Sequence, residues 1–118
     1  LITDIDKGGS FASIVGTMAL IEKNYQKLVK GFIFNKFRGD INVLKPGFQK
    51  LKNITKIPVM GTIPLMSLNL PEEDSLNAKP KDIAWTKKNI LKINDELDKL
   101  SKIVKSNIDI NSIEKMLQ

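Results

Sequence analysis

Three short runs rich in β-branched and aromatic residues, separated by stretches with helical apolar spacing, constrain this chain more than any other feature. Leu1-Ile2-Thr3-Asp4-Ile5-Asp6 reads as a strand feeding the turn Lys7-Gly8-Gly9-Ser10. From Phe11 the residues Ala12, Ile14, Val15, Met18, Ala19 and Ile21 trace a broad apolar helical face. A second strand is expected over residues 28–34, broken by Gly31, which also permits close backbone packing. Asn35 to Asp40 then forms a polar exit loop. Val43, Leu44, Phe48, Leu51 and Ile54 recur at helical spacing, and Pro46 is tolerated in a first turn, where its missing N–H is not needed. Ile57 to Pro64 is the third strand and its exit. Alternation of this kind predicts a parallel α/β layer, with strands ending near Asp6, Phe34 and Ile63 and exit loops on one rim. Three strands with two open edges make a poor independent sheet, so a piece of a larger α/β domain is expected.

A different composition begins near Asn77. A hinge over residues 78–81 precedes a Lys-rich amphipathic helix expected from Asp82 to Lys105. Its stripe is Ile83, Ile90, Ile93, Leu97, Leu100 and Val104, with Ile103 beside it. Asn111 and Glu114 form a capping-box candidate for a short last helix carrying Ile113, Met116 and Leu117. The expected division is therefore 1–76 as the α/β part and 77–118 as a helical tail packed on the same domain. Coiled-coil pairing, and with it a homodimer, is the alternative use of the stripe.

Composition excludes several chemistries. With no Cys there is no disulfide, thiol nucleophile or thiolate metal site, and with no His neither a Ser-His-Asp relay nor an imidazole–zinc site can form. No apolar run approaches the roughly 20 residues of a membrane span, and no leader pattern or start methionine opens the chain. A cytoplasmic setting is expected. The formal net charge is +6, but residues 1–76 hold ten basic and seven acidic side chains and residues 77–118 nine and six. An evenly spread excess favours small anionic ligands over nucleic acid.

Three clusters carry candidate chemistry. Asp4 and Asp6 lie two residues apart at the carboxyl end of the first strand, facing one side if the strand runs through Asp6. Lys7 adds a positive charge, and Gly8-Gly9 lets backbone amides approach phosphate oxygens. The competing reading is a tight turn flanked by solvated acids. In the second cluster, an Asn35 amide at a strand end can donate to and accept from an adenine edge. The Lys36 stem can cover a base, and Arg38 offers a forked cation for phosphate or carboxylate. Otherwise this is a charged loop anchored by Phe37. The third cluster is Leu70-Pro71-Glu72-Glu73-Asp74-Ser75, whose adjacent acids need solvent, a basic group or Mg²⁺ to offset their repulsion.

Together these segments resemble the cobyric acid synthase family, glutamine-dependent amidases of adenosylcobalamin synthesis. The matching stretches are DIDKGGSFASIVGT at Asp4–Thr17, KGFIFNKFRGD at Lys30–Asp40, LKPGFQKL at Leu44–Leu51 and IPVMGTIPLMSLNLPEEDS at Ile57–Ser75. INDELDKLSKIVKSNIDINSIEKML, Ile93–Leu117, resembles the helical tail of related cobyrinate amidases more loosely. The resemblance implies the carboxy-terminal half of a P-loop, dethiobiotin-synthetase-like amidoligase domain followed by a helical tail. It implies ATP and Mg²⁺ as cofactors, adenosylcobyrinic acid a,c-diamide as substrate, and ammonia from a glutaminase domain that this segment does not contain. The Gly-rich phosphate loop is likewise absent from these residues, so the chain alone is expected to be inactive.

By the same resemblance Asp4, Asp6, Lys7 and Asp74 fall near the reaction centre. Gly8, Gly9, Asn35, Lys36 and Arg38 fall on the nucleotide, and Glu73 and Asp74 on the metal. Lys7 stands where the family pattern has Arg, which keeps the charge and loses the bidentate fork. The alternatives are a cobyrinate a,c-diamide synthase or another P-loop amidoligase, a nucleotide-responsive domain without catalysis, and an α/β scaffold that binds no nucleotide.

Overall fold

A computed structural model describes residues 1–70 and 87–116. In chain order the elements are β1 (Ile2–Asp4), α1 (Ser10–Leu20), α2 (Lys23–Gln26), β2 (Phe32–Phe37), a 3-10 turn (Ile41–Val43), α3 (Lys45–Thr55), β3 (Val59–Pro64), α4 (Lys87–Asn107) and α5 (Ile110–Met116). The chain divides into two compact units, Leu1–Met66 with Asn107–Gln118, and Ser67–Ser106.

The first unit is a three-stranded sheet in the order β1-β2-β3, with both pairings parallel. All three strands therefore end on one rim, as the alternation predicts. Phe32 and Phe34 of β2 are fully buried and meet Ile14 and Met18 of α1 and Leu51 of α3. The rings of Phe11, Phe34 and Phe48 form a tilted cluster, with centroids 4.8 Å apart for Phe11–Phe34 and 5.0 Å for Phe34–Phe48. Pro46 sits in the first turn of α3, where a proline ring is compatible with the helix.

Several boundaries differ from the sequence reading, each for a local reason. The first strand ends at Asp4 because the Asp6 N–H turns back to Asp4 Oδ1 (3.0 Å) and the Gly8 N–H to the Ile5 carbonyl (3.3 Å). Residues 28–31 are not strand. Helix α2 intervenes, and the Gln26 side-chain amide donates to the carbonyls of Met18 and Ile21, both at 2.9 Å, closing the end of α1. The strand β2 also runs on to Phe37, so Asn35 and Lys36 lie within it and not in a loop. Gly31 does serve close packing: a Cβ there would fall on Met60 Cγ and 2.9 Å from Met60 Sδ.

The free edge of β3 is partly covered. The Asp109 N–H donates to the Met60 carbonyl (2.8 Å), and Ile108 forms an isolated antiparallel bridge with Gly61. The last helix starts on Asp109, not on the expected Asn111: the Asp109 carboxylate accepts from the Ser112 N–H (3.0 Å) and hydroxyl (2.6 Å). Those two bonds, the hydroxyl's first, hold the Asp109 carboxyl below its ordinary range.

In the second unit α4 begins at Lys87 among the described residues, and positions 82–86 of the expected helix lie outside them. Ile90 and Leu97 of the expected stripe are exposed, whereas Glu96 is buried. Its carboxylate accepts from Lys99 Nζ (2.6 Å) and from the Asn69 N–H (3.1 Å), which satisfies the charge where it is covered. No helix among the described residues is long and apolar enough to cross a membrane.

Candidate functional site

Five of the sequence-derived site residues gather on the rim where β1 and β2 end. Asp4 pairs in register with Asn35, so their side chains share one face of the sheet. Phe34, one residue earlier, points into the α1–α3 layer. The Ile5 N–H to Asn35 carbonyl bond (3.0 Å) carries the ladder past the end of β1 and fixes the two exits against each other.

Two ion pairs link the two chain segments here, one between the strand ends and one between the residues just beyond them. Lys36 Nζ lies 2.8 Å from Asp4 Oδ2. Arg38 reaches Asp6 with both prongs of its fork, Nε to Oδ1 at 3.0 Å and Nη2 to Oδ2 at 3.2 Å. Both carboxylate oxygens of Asp4 are thereby engaged, the second by the Asp6 N–H. The hydrogen bond from Lys36 chiefly holds the Asp4 carboxyl below its ordinary range, with the charge of Lys7 contributing, and the same bond raises the Lys36 ammonium. Asp4 is an ionised, doubly held acceptor rather than a group poised to exchange a proton near neutrality.

The strand carries an irregularity at this point. Phe34 pairs with Thr62 and Phe37 with Pro64, so three steps along β2 match two along β3. The extra residue is a bulge, with Lys36 in the left-handed region at φ 62°. Its N–H donates to Asn35 Oδ1 (2.9 Å), and the Asn35 NH₂ group has no partner among the described residues. On the next exit, Gly8 and Gly9 have φ 73° and 68°, conformations that disfavour any side chain, and a Cβ at either would meet open space. These glycines serve the turn, which leads directly into α1, and among the described residues no side chain caps that helix. Lys7 is exposed and makes no salt bridge among the described residues.

The structure thus brings together Asp4, Asp6, Asn35, Lys36 and Arg38, and places Lys7, Gly8 and Gly9 on the adjoining turn. Glu73 and Asp74 lie outside the described residues. The residue types alone do not disclose the mutual engagement of acids and bases, although the sequence holds a signal for it. Asp-x-Asp and Lys-x-Arg have the same two-residue spacing at the ends of neighbouring parallel strands, which aligns the members in pairs. Asp4, Asp6, Lys36 and Arg38 cancel in formal charge, so Lys7 leaves the rim with one net positive charge. Among the described residues no three acidic side chains gather as a metal site.

No protein-family model matches the chain, and no solved structure matches it. Curated archaeal proteins do. A probable cobyric acid synthase from Methanococcus vannielii is 51% identical over 104 residues, covering 87% of this chain and 21% of that protein. The probable cobyric acid synthase of Thermococcus kodakarensis is 57% identical over 81 residues, 69% of this chain and 17% of its own length. That of Methanosarcina barkeri is 49% identical over 90 residues, 76% of this chain and 19% of the relative. The chain therefore spans about a fifth of the length of the curated relatives it matches. Over those matched residues it belongs to the cobyric acid synthase family.

Proposed function

We propose that this chain is the carboxy-terminal half of the ATP-dependent synthetase domain of a cobyric acid synthase, with a P-loop, dethiobiotin-synthetase-like fold. The whole enzyme would amidate side-chain carboxylates of adenosylcobyrinic acid a,c-diamide with ammonia drawn from glutamine. ATP, when bound, supplies the phosphoryl group that activates each carboxylate for attack by ammonia. The segment described here supplies the nucleotide-facing rim.

The observation that carries this reading is the register of Asp4 with Asn35 at the carboxyl ends of two parallel strands, the place where open α/β sheets take ligands. Asn35 offers an amide donor, without a partner among the described residues, for the ring-nitrogen edge of adenine. Gly8 and Gly9 allow a phosphate to approach the backbone, and Lys7 is the cation left over to meet it. Asp4 and Asp6 act by orienting the rim, since their oxygens are held by Lys36, Arg38 and a backbone N–H. Charge stabilisation and alignment are what carboxylate activation followed by amine attack requires of such groups. The described residues provide no acidic triad for Mg²⁺, so its ligands are assigned to Glu73 and Asp74 on the family pattern alone.

Titration of the ¹⁵N-labelled chain with millimolar ATP and GTP tests the proposal. The Asn35 side-chain amide and the Gly8 and Gly9 backbone amides should shift, and more with ATP than with GTP. Equal shifts with both nucleotides, or none at Asn35, would remove the base-recognition role.

A further inference from the structure

Among the described residues, Lys36 alone bonds to both strand-end side chains, and it does so through different parts. Its backbone N–H bonds to Asn35 Oδ1 at 2.9 Å, and its ammonium bonds to Asp4 Oδ2 at 2.8 Å. Both bonds depend on an unusual backbone. An ordinary strand residue at this position would alternate to the face of Phe34, away from Asp4. The bulge and the left-handed φ of 62° instead keep Lys36 beside Asn35, and they return Phe37 to the face of Phe34. Left-handed backbone is disfavoured for a non-glycine residue, so the surrounding contacts must hold it there.

We propose that Lys36 is a positioning residue, which fixes the Asn35 amide through its backbone and the Asp4 carboxylate through its side chain, rather than a direct contact to the ligand. The assignment deepens the reading above, on which it rests for the identity of what Asn35 would bind. It also adds a direction. With Oδ1 accepting from the Lys36 N–H, a flip of the Asn35 amide would set two donors against each other, so the amide presents its NH₂ group outward. The ligand edge that meets it first must be an acceptor, such as a purine ring nitrogen.

The test needs no ligand. In the 118-residue chain, the ¹H–¹⁵N NOE of the Asn35 side-chain amide reports its fixation, and Asn24, an exposed amide without a partner among the described residues, is the internal reference. Lys36→Gly keeps the N–H and favours the left-handed backbone, and should leave the Asn35 NOE at its wild-type value. Lys36→Val keeps the N–H but opposes that backbone, and should drop the NOE to that of Asn24. Lys36→Gly and Lys36→Met should both return the Asp4 carboxyl, followed by ¹³C titration, towards its ordinary pKa of 3.8.

A valine variant with a wild-type NOE, a glycine variant that loses it as fully as valine, or an Asp4 titration indifferent to Lys36→Met would each overturn the proposal. If the valine variant does not fold, the glycine NOE and the Asp4 titrations still decide it. Because no nucleotide is present, a negative ATP titration would leave a positive result here intact, and a positive ATP titration could not rescue a negative one.

Discussion

The Asp4–Lys36 pair sits on a partly solvated rim, with side chains 27% and 46% exposed, and its worth should follow the titration of both members. Asp4 is depressed below 3.8 in the folded chain, so its contribution is complete above that pH and disappears as the pH falls through the lower folded value. Lys36 is raised above 10.5, so its share is complete below that pH and disappears as the pH climbs through the higher folded value. Asp4→Asn should therefore lower the urea midpoint near neutrality and converge with the wild type at strongly acid and strongly alkaline pH. A difference that stays constant across pH would mean that the asparagine acts by geometry and not through the charge. At this scale the sequence disclosed which residues gather but not what they do to one another. The chemistry of Asp, Lys and Arg suits a ligand and a neighbour equally well. Only the strand register tells that Lys36 and Arg38 are occupied by Asp4 and Asp6, and only the bulge tells that the Lys36 backbone is in use too.

Among the elements, the order and direction of the strands were legible because apolar runs of strand length alternate with helical spacing, and that pattern admits few topologies. The ends of the elements were not, because they depend on contacts that no local pattern carries. Gln26 shortens the approach to β2 by bonding the end of α1, and the parallel ladder carries β2 beyond Asn35. The junction of β3 with Asn107 and Ile108 is the sharpest such contact. A Cβ on Gly61 would fall on the Asn107 carbonyl oxygen and lie 2.8 Å from Ile108 Cα, and these are backbone atoms that cannot swing aside. Gly61→Ala should separate the segment from the sheet edge and destabilise the fold by about 1–3 kcal/mol. Amide exchange locates the effect: the Asp109 N–H, bonded to the Met60 carbonyl, should lose protection first, ahead of the amides of β2. Uniform loss of protection, or none, would mean that the segment does not depend on this contact.

For the whole molecule, the sheet is asymmetric: Ile108 and Asp109 cover part of the β3 edge, whereas Leu1 and Ile2 of the opposite edge are 41% and 69% exposed. In a parallel ladder alternate residues of β1 bond to β2, so the Ile2 and Asp4 backbone groups face away from it. On the proposed reading the three-stranded rim supplies the base-facing and turn-forming parts of a nucleotide site, and the 118-residue sequence contains no Gly-rich motif ending in Lys and Ser or Thr to hold the phosphates. Positioning and charge stabilisation at the transferring phosphoryl group account for many powers of ten in rate, and they do not survive division of the site. The isolated chain should therefore give no ATP hydrolysis and no amide product when supplied with ATP, Mg²⁺, ammonia and cobyrinic a,c-diamide, even where the Asn35 amide responds to ATP. Free ammonia makes the assay independent of any glutaminase, so a negative result speaks to the synthetase chemistry alone. Reproducible product above a control without protein would show that the reacting groups are complete within this segment, and that Lys7 and the Gly8-Gly9 turn suffice to hold the phosphates without a separate Gly-rich loop.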